Sequence, residues 1–206
     1  SLPFTEDEQQ LLATIGTSLS LTLRNADAHQ HLQDMALRDA LTEVLNRRAL
    51  DEPLKRELKS GLRYGAPACL LIIDIDYFKT VNDRLGHPAG DMVLKQLAAL
   101  MTDTVRDIDM VGRYGGEEFM IILPHTSIEQ ALSLAERLRT SIECHAFDVE
   151  DGIVRLTASI GIADVCDPAI ASVDDWVNAA DMALYDAKAQ GRNRVVVHTP
   201  APFAPA

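Results

Sequence analysis

Hydrophobic and polar positions divide the chain into a thinly striped first fifth and a remainder that alternates between helical and strand-like segments. From Thr5 to about Arg38 there is no proline and the only glycine is Gly16, while apolar residues recur at Leu12, Ile15, Leu19, Leu23 and Ala26 in steps of three and four. That spacing predicts one long helix. Thr5 followed by Glu8 makes a capping box, and Phe4 just before it suits a hydrophobic staple. One narrow stripe cannot bury itself, so this helix is expected to pack on a twin or on a preceding domain. Thr22, His29 and Gln33 fall at seam positions, which predicts a weak, switchable pairing.

Beyond it, Arg47 to Leu62 reads as an amphipathic helix, and Pro67 to Ile75 as a buried strand ending in Asp74-Ile75-Asp76. His87 to Val105 is helical by period. Ile108 to Tyr114 and Phe119 to Leu123 are expected as strands joined through Gly115-Gly116, a pair suited to a two-residue hairpin turn. Ser127 to Cys144 is a helix, Val154 to Val165 a strand, Val173 to Ala189 a helix and Arg194 to His198 a last strand. The Pro- and Ala-rich end, 199–206, is expected to be disordered. The organisation is therefore a helix over 1–38, a domain over 39–198 and a tail. Alternation around an antiparallel hairpin predicts an α+β fold, a sheet covered by helices.

Composition narrows the partners. With 19 Lys and Arg against 31 Asp and Glu the net charge is −12, which disfavours nonspecific nucleic-acid binding. A nucleotide ligand needs a local basic cluster or a divalent cation. Cys69, Cys144 and Cys166 show no paired metal-ligand spacing, which fits a reducing cytoplasm. No apolar run is long enough to span a bilayer, so no membrane contact is expected in this segment.

The candidate chemistry lies in carboxylates at strand ends. Asp74 follows the apolar run Leu70 to Ile73, so its charge emerges at the edge of a buried sheet, where it is costly unless paired. Glu117 and Glu118 follow the glycines and point to opposite sides of their strand. Magnesium, which takes few carboxylates, a carbonyl such as that of Ile75, waters and phosphate oxygens, would offset that cost. Gly115 and Gly116 would let phosphate oxygens approach the backbone. Taken singly, each feature has a plain alternative: a Gly-Gly turn is usually an exposed hairpin, and Asp74 with Asp76 can simply end a strand and cap a helix.

The conjunction of blocks resolves the choice. Arg113-Tyr114-Gly115-Gly116-Glu117-Glu118-Phe119 resembles the signature of the GGDEF family of diguanylate cyclases. So, in order, do Asp39-Ala40-Leu41-Thr42 with Asn46-Arg47-Arg48, Asp74 through Lys79, Asn82-Asp83, Gly86-His87, Gly90-Asp91, Ser159-Ile160-Gly161, and Ala187-Lys188 with Gly191-Arg192-Asn193-Arg194. The resemblance covers roughly Arg38 to His198. It implies a central, mostly antiparallel five-stranded sheet flanked by helices, similar to nucleotide cyclases and the polymerase palm. It implies that two GTP molecules are joined into cyclic di-GMP with release of two pyrophosphates, on a homodimer, with magnesium as cofactor and manganese as a substitute.

Site roles follow from the same resemblance. Asp74, Glu118 and the Ile75 carbonyl would hold two metal ions, and Glu117 would contribute to the metal and activate the attacking 3′-hydroxyl. Asn82 and Asp91 would read guanine; an intact Asp91 disfavours relatives that also accept ATP. Lys188 and Arg192, otherwise ordinary helix-end cations, would reach the β- and γ-phosphates. Phe78 is either core or pocket wall, Lys79 a phosphate contact, and His87 either a substrate contact or a structural helix start. Arg106 and Asp109, with Arg137, resemble the RxxD site at which cyclic di-GMP inhibits, although such a tetrad alone is commonly a surface ion pair. Glu43-Val44-Leu45 stands where the family usually has Gly-Leu-Pro. The stretch from Phe4 through Ala26 resembles the closing helix of a GAF sensory domain, implying an upstream sensor. The rival readings are a non-catalytic nucleotide receptor and a cyclase making a monomeric cyclic product.

Overall fold

A computed structural model of the chain describes Gln10, Ile15, Gly16 and residues 37–150 and 152–199. Two compact units divide the chain, Ser1–Leu37 and Arg38–Ala206. Gln10, Ile15, Gly16 and Leu37 are helical; the rest of the expected N-terminal helix, its sensor-like resemblance and the 200–206 part of the tail lie outside the described residues.

In the second unit the elements run β1 (Leu45–Asn46), α1 (Arg47–Tyr64), β2 (Ala68–Ile75), α2 (Phe78–Leu85), α3 (His87–Thr104), β3 (Met110–Arg113), β4 (Glu118–Pro124), α4 (Ile128–Cys144), β5 (Phe147–Val149), β6 (Gly152–Val154), β7 (Ala158–Asp164), α5 (Val173–Ala189) and β8 (Val195–Val197). The main sheet has the order β1-β3-β4-β2-β7-β8. Its centre is antiparallel, β4 and β7 flanking β2, whereas β1 on β3 and β8 on β7 are parallel. The sheet is thus six-stranded and mixed rather than five-stranded. The additional strand, β1, is two residues long and leaves no period in the sequence.

Strand β2 is buried at all eight positions because helices cover both faces. Leu71, Ile73, Phe119, Ile121 and Ile160 face the core that Val93, Leu97 and Met101 of α3 share with Ala135 and Leu138 of α4. Leu70, Ile72, Met120 and Ile122 face Leu50 and Leu54 of α1 and Trp176, Ala180 and Leu184 of α5. Each fully buried Leu, Ile or Phe contributes about 1.5–3 kcal/mol. Trp176 satisfies its indole N–H by donating to the Ala163 carbonyl at 3.1 Å.

Two segments differ from expectation. The strand expected over Val154 to Val165 is split: Val154 belongs to a separate β5–β6 hairpin, and β7 begins at Ala158. Between them Thr157 turns toward Asp76, giving its carbonyl to the Asp76 N–H and its hydroxyl to the Asp76 carboxylate. Helix α2 went unassigned in the sequence because two turns are too short for a clear period.

Candidate active site

The site forms where β2 and β4 end together. Asp74 and Glu118 are directly opposite in the antiparallel register, so their side chains share one face. By alternation with Leu70 and Ile72, that face is the one α5 covers. Lys188, in the last turn of α5, places its ammonium 2.9 Å from Asp74 Oδ2. Asp74 is only 8 % exposed. Burial pushes its pKa above the ordinary aspartate value and Asp76 adds to this, while Lys188 and then Arg192 pull it down. Glu117 is pushed up too, by burial first and then by Asp74 and Glu118. Three carboxylates therefore crowd one strand end faced by two cations. Ile75 closes β2 beside them.

The loop over 114–117 is longer than the expected two-residue turn. Arg113 and Phe119 are the last paired residues, and the N–H groups of Tyr114 and Gly115 both donate to the Glu118 carbonyl. Neither Gly115 nor Gly116 has a positive φ, so their value lies in the missing side chain. A Cβ on Gly115 would stand 2.6 Å from Glu118 Oε2, whereas one on Gly116 would meet open space. Arg113 fixes the loop from behind, donating to the Gly116 carbonyl at 2.6 Å while pairing with Asp39 at 3.1 Å. Asp39 in turn accepts from the Thr42 hydroxyl and N–H.

Helices α2 and α3 carry the other candidates. Gly90 permits their close approach, since a Cβ there would collide with Asn82 Oδ1 and press on the Phe78 ring. Phe78 is a core residue. Lys79, His87 and Asp91 are exposed near the helix starts. Asn82 and Asp91 thus flank the α2–α3 crossing, and α2 begins three residues beyond Ile75.

Sequence reasoning offered Asp76 only as a helix cap, whereas the structure makes it a hub. Its carboxylate accepts from Thr157 Oγ1 and Ser159 Oγ at 2.7 Å each and from the Asn193 N–H at 3.0 Å. It is neither a helix cap nor a free charge: the N-cap of α2 is Tyr77, and no side chain caps it. Only its position two residues beyond Asp74 hinted at this.

A second cluster lies apart. Arg106, Asp109 and Arg137 line a cavity of about 390 Å³ with Thr104, Thr126 and Glu129. Asp109 is buried and accepts from the Arg106 guanidinium at 3.0 Å, which also donates to Thr126 Oγ1 at 2.7 Å. Arg137 donates to the Thr104 carbonyl. The three predicted residues do converge, and Arg106–Asp109 is an ion pair with one buried partner.

Paired carboxylates at a strand end, opposed cations and a glycine loop define a phosphate-handling nucleotidyltransferase site. The chain belongs to the family described as diguanylate cyclase, GGDEF domain, whose model matches residues 36–194. It is 39% identical over 201 residues to the response regulator PleD of Caulobacter vibrioides, covering 92% of this chain and 43% of that protein. To the diguanylate cyclase DgcP of Pseudomonas aeruginosa it is 42% identical over 172 residues, covering 82% of this chain and 25% of that one. The chain therefore spans less than half the length of these curated relatives. Among solved structures, the coiled coil and GGDEF domain of DgcB from Caulobacter crescentus in complex with c-di-GMP matches with a TM-score of 0.83 at 29% identity, covering 91% of this chain and 98% of that one.

Family members are nucleotidyltransferases that in general use divalent metals. The residues here fit such an ion. Asp74 and Glu118 share a face, the Asp76 carboxylate adds negative charge beside Asp74, and an ammonium already lies against it. Among the described residues no three acidic, His or Cys side chains converge as a full cage, so carbonyl, water and phosphate oxygens would complete the shell.

Proposed function

We propose that this domain condenses two GTP molecules into cyclic di-GMP, releasing two pyrophosphates. The observation that carries this is Asp74 opposite Glu118, with Glu117 in their field and Lys188 against Asp74. Asp74, Glu118 and the Ile75 carbonyl would hold magnesium, with manganese as a substitute; the metal would neutralise charge developing on the α-phosphate and the departing pyrophosphate. Asn82 and Asp91 select guanine, a carboxylate suiting its ring N–H and amino group. Lys188 and Arg192 hold the β- and γ-phosphates, Lys79 and the Gly115-Gly116 backbone assist, and His87 borders the base.

Each site takes one GTP, and one site cannot close the ring. Two protomers face each other, so that the 3′-oxygen of one GTP bonds to the α-phosphorus of the other as the bond to pyrophosphate breaks. Glu117 takes the hydroxyl proton, a task helped by its raised pKa. The segment 1–38 would bring protomers together under an upstream sensory domain, and the reaction would take place in the cytoplasm. Cyclic di-GMP would inhibit at the Arg106, Asp109 and Arg137 cavity, whose arginine forks suit phosphates and guanine edges.

The test is product chromatography with GTP and magnesium: wild type should yield cyclic di-GMP, Glu117→Ala and Glu118→Ala should not. Unchanged turnover in both variants overturns the assignment, and a monomeric cyclic product would favour the rival cyclase.

A further inference from the structure

Tyr77 is an unusual residue to find where it is. It follows the Asp76 hub in the left-handed region, φ 59° and ψ 26°, a conformation bulky side chains rarely adopt and one that costs about 1–2 kcal/mol. The residue is 65 % exposed, so little burial compensates. What the ring does have is Arg192: the guanidinium carbon lies 4.7 Å from the ring centroid, and Nη1 donates to the phenol oxygen over a long 3.4 Å.

Arg192 is itself in a strained run. Gly191, Arg192 and Asn193 have φ of 115°, 64° and 47°. Such a run persists only where its surroundings over-determine it, and Asn193 supplies the reason. Its N–H donates to Asp76 at 3.0 Å, its amide N–H to Glu143 at 2.9 Å, and its amide oxygen accepts from Arg139 at 2.9 Å. Two consecutive residues at the end of β2 thus grip two consecutive residues after α5: Asp76 holds Asn193, and Tyr77 stacks under Arg192.

We propose that Tyr77 is a positioning residue for Arg192, holding the guanidinium by its face so that its edge N–H groups stay free for the terminal phosphate of the nucleotide. The stack uses the π-face of the cation, and apart from the long Nη1 contact to the phenol oxygen it leaves the in-plane donors unspent. A lysine at 192 would lose this support, and an aliphatic residue at 77 would leave Arg192 to its own rotamers. The consequence is preference for a triphosphate over a diphosphate, set by a residue that touches neither. This inference rests on the reading of Arg192 as a phosphate ligand.

The experiment is calorimetric binding of GTP and GDP, with magnesium, to the whole chain. Tyr77→Asn removes the ring while tolerating the left-handed backbone, and Tyr77→Phe keeps the stack. Tyr77→Asn should raise the Kd for GTP about three- to fivefold, the scale of an exposed cation–π contact, and leave the Kd for GDP within twofold. Tyr77→Phe should stay close to wild type. In an Arg192→Ala background Tyr77→Asn should add nothing. Equal weakening of GTP and GDP, or additive effects in the double variant, would mean that Tyr77 merely supports the fold and would overturn the proposal. If Arg192→Ala itself leaves the GTP-to-GDP preference intact, the phosphate reading of Arg192 fails and this proposal falls with it.

Discussion

Lys188 Nζ lies 2.9 Å from Asp74 Oδ2, so an ammonium now occupies a carboxylate oxygen expected to bind metal. Cation and metal compete for one charge. Lys188→Met should therefore tighten nucleotide-free manganese binding, read by electron paramagnetic resonance, about fivefold, the equivalent of ~1 kcal/mol for a partly exposed ion pair. The same variant should bind GTP more weakly. Unchanged manganese affinity would show that the pair does not compete.

Gly115 and Gly116 should respond differently to alanine. The Gly115→Ala methyl would stand 2.6 Å from Glu118 Oε2 and displace that carboxylate, whereas Gly116→Ala would meet open space. Turnover should fall at least tenfold in the first and less than threefold in the second, a gap of more than ~0.7 kcal/mol in barrier. Neither change should alter Tm by more than a few degrees. Equal effects on turnover would assign both glycines to phosphate approach alone.

Glu43 holds φ 62°, in the left-handed region that favours glycine. Glu43→Gly relieves left-handed strain but widens the unfolded ensemble, leaving a net gain of about 0.5–1 kcal/mol and a rise in Tm of roughly 1–4 °C. Thermal unfolding tests this directly. A fall in Tm would mean that the glutamate side chain contributes more than its backbone costs.

Asp39 carries a pH dependence whose sign is fixed. Burial raises its pKa, but hydrogen bonds from the Thr42 side chain and N–H, together with Arg113, outweigh burial and hold it below the ordinary aspartate value. The native state thus binds fewer protons than the unfolded chain, and stability rises with pH through that window. The contribution is complete above about pH 4–5 and lost as pH falls through the lowered native value. In urea titrations Asp39→Asn should be less stable than wild type near neutrality, with the gap narrowing toward pH 3. A gap constant with pH would remove Asp39 as its source.

Legibility in the sequence followed the length and exclusivity of each signal. The β2 run was readable because eight residues buried on both faces leave nothing polar until Asp74. Helix α5 was bounded at Val173 and Ala189, as found. Helix α2 and strand β1 are too short to show a period, and the β5–β6 hairpin merged with β7 because apolar residues flank the break at Arg155. Asp74, Glu118 and Lys188 were found through spaced motifs. Asp76, Tyr77 and Arg113 stand in the same motifs but took no site role from them, since their importance lies in what they touch across the fold.

One close contact sets the mechanical character of the site. A Cβ on Gly161 would strike the backbone of Ala180 and Leu184, so α5 rests on β7 with main chain against main chain. Lys188 is one turn further along, about 6 Å by helix rise. A rod seated without side-chain cushioning has little freedom to slide or roll, and its tip inherits that stiffness. The ordering entropy of at least one phosphate-facing cation is therefore spent at folding rather than at each catalytic encounter.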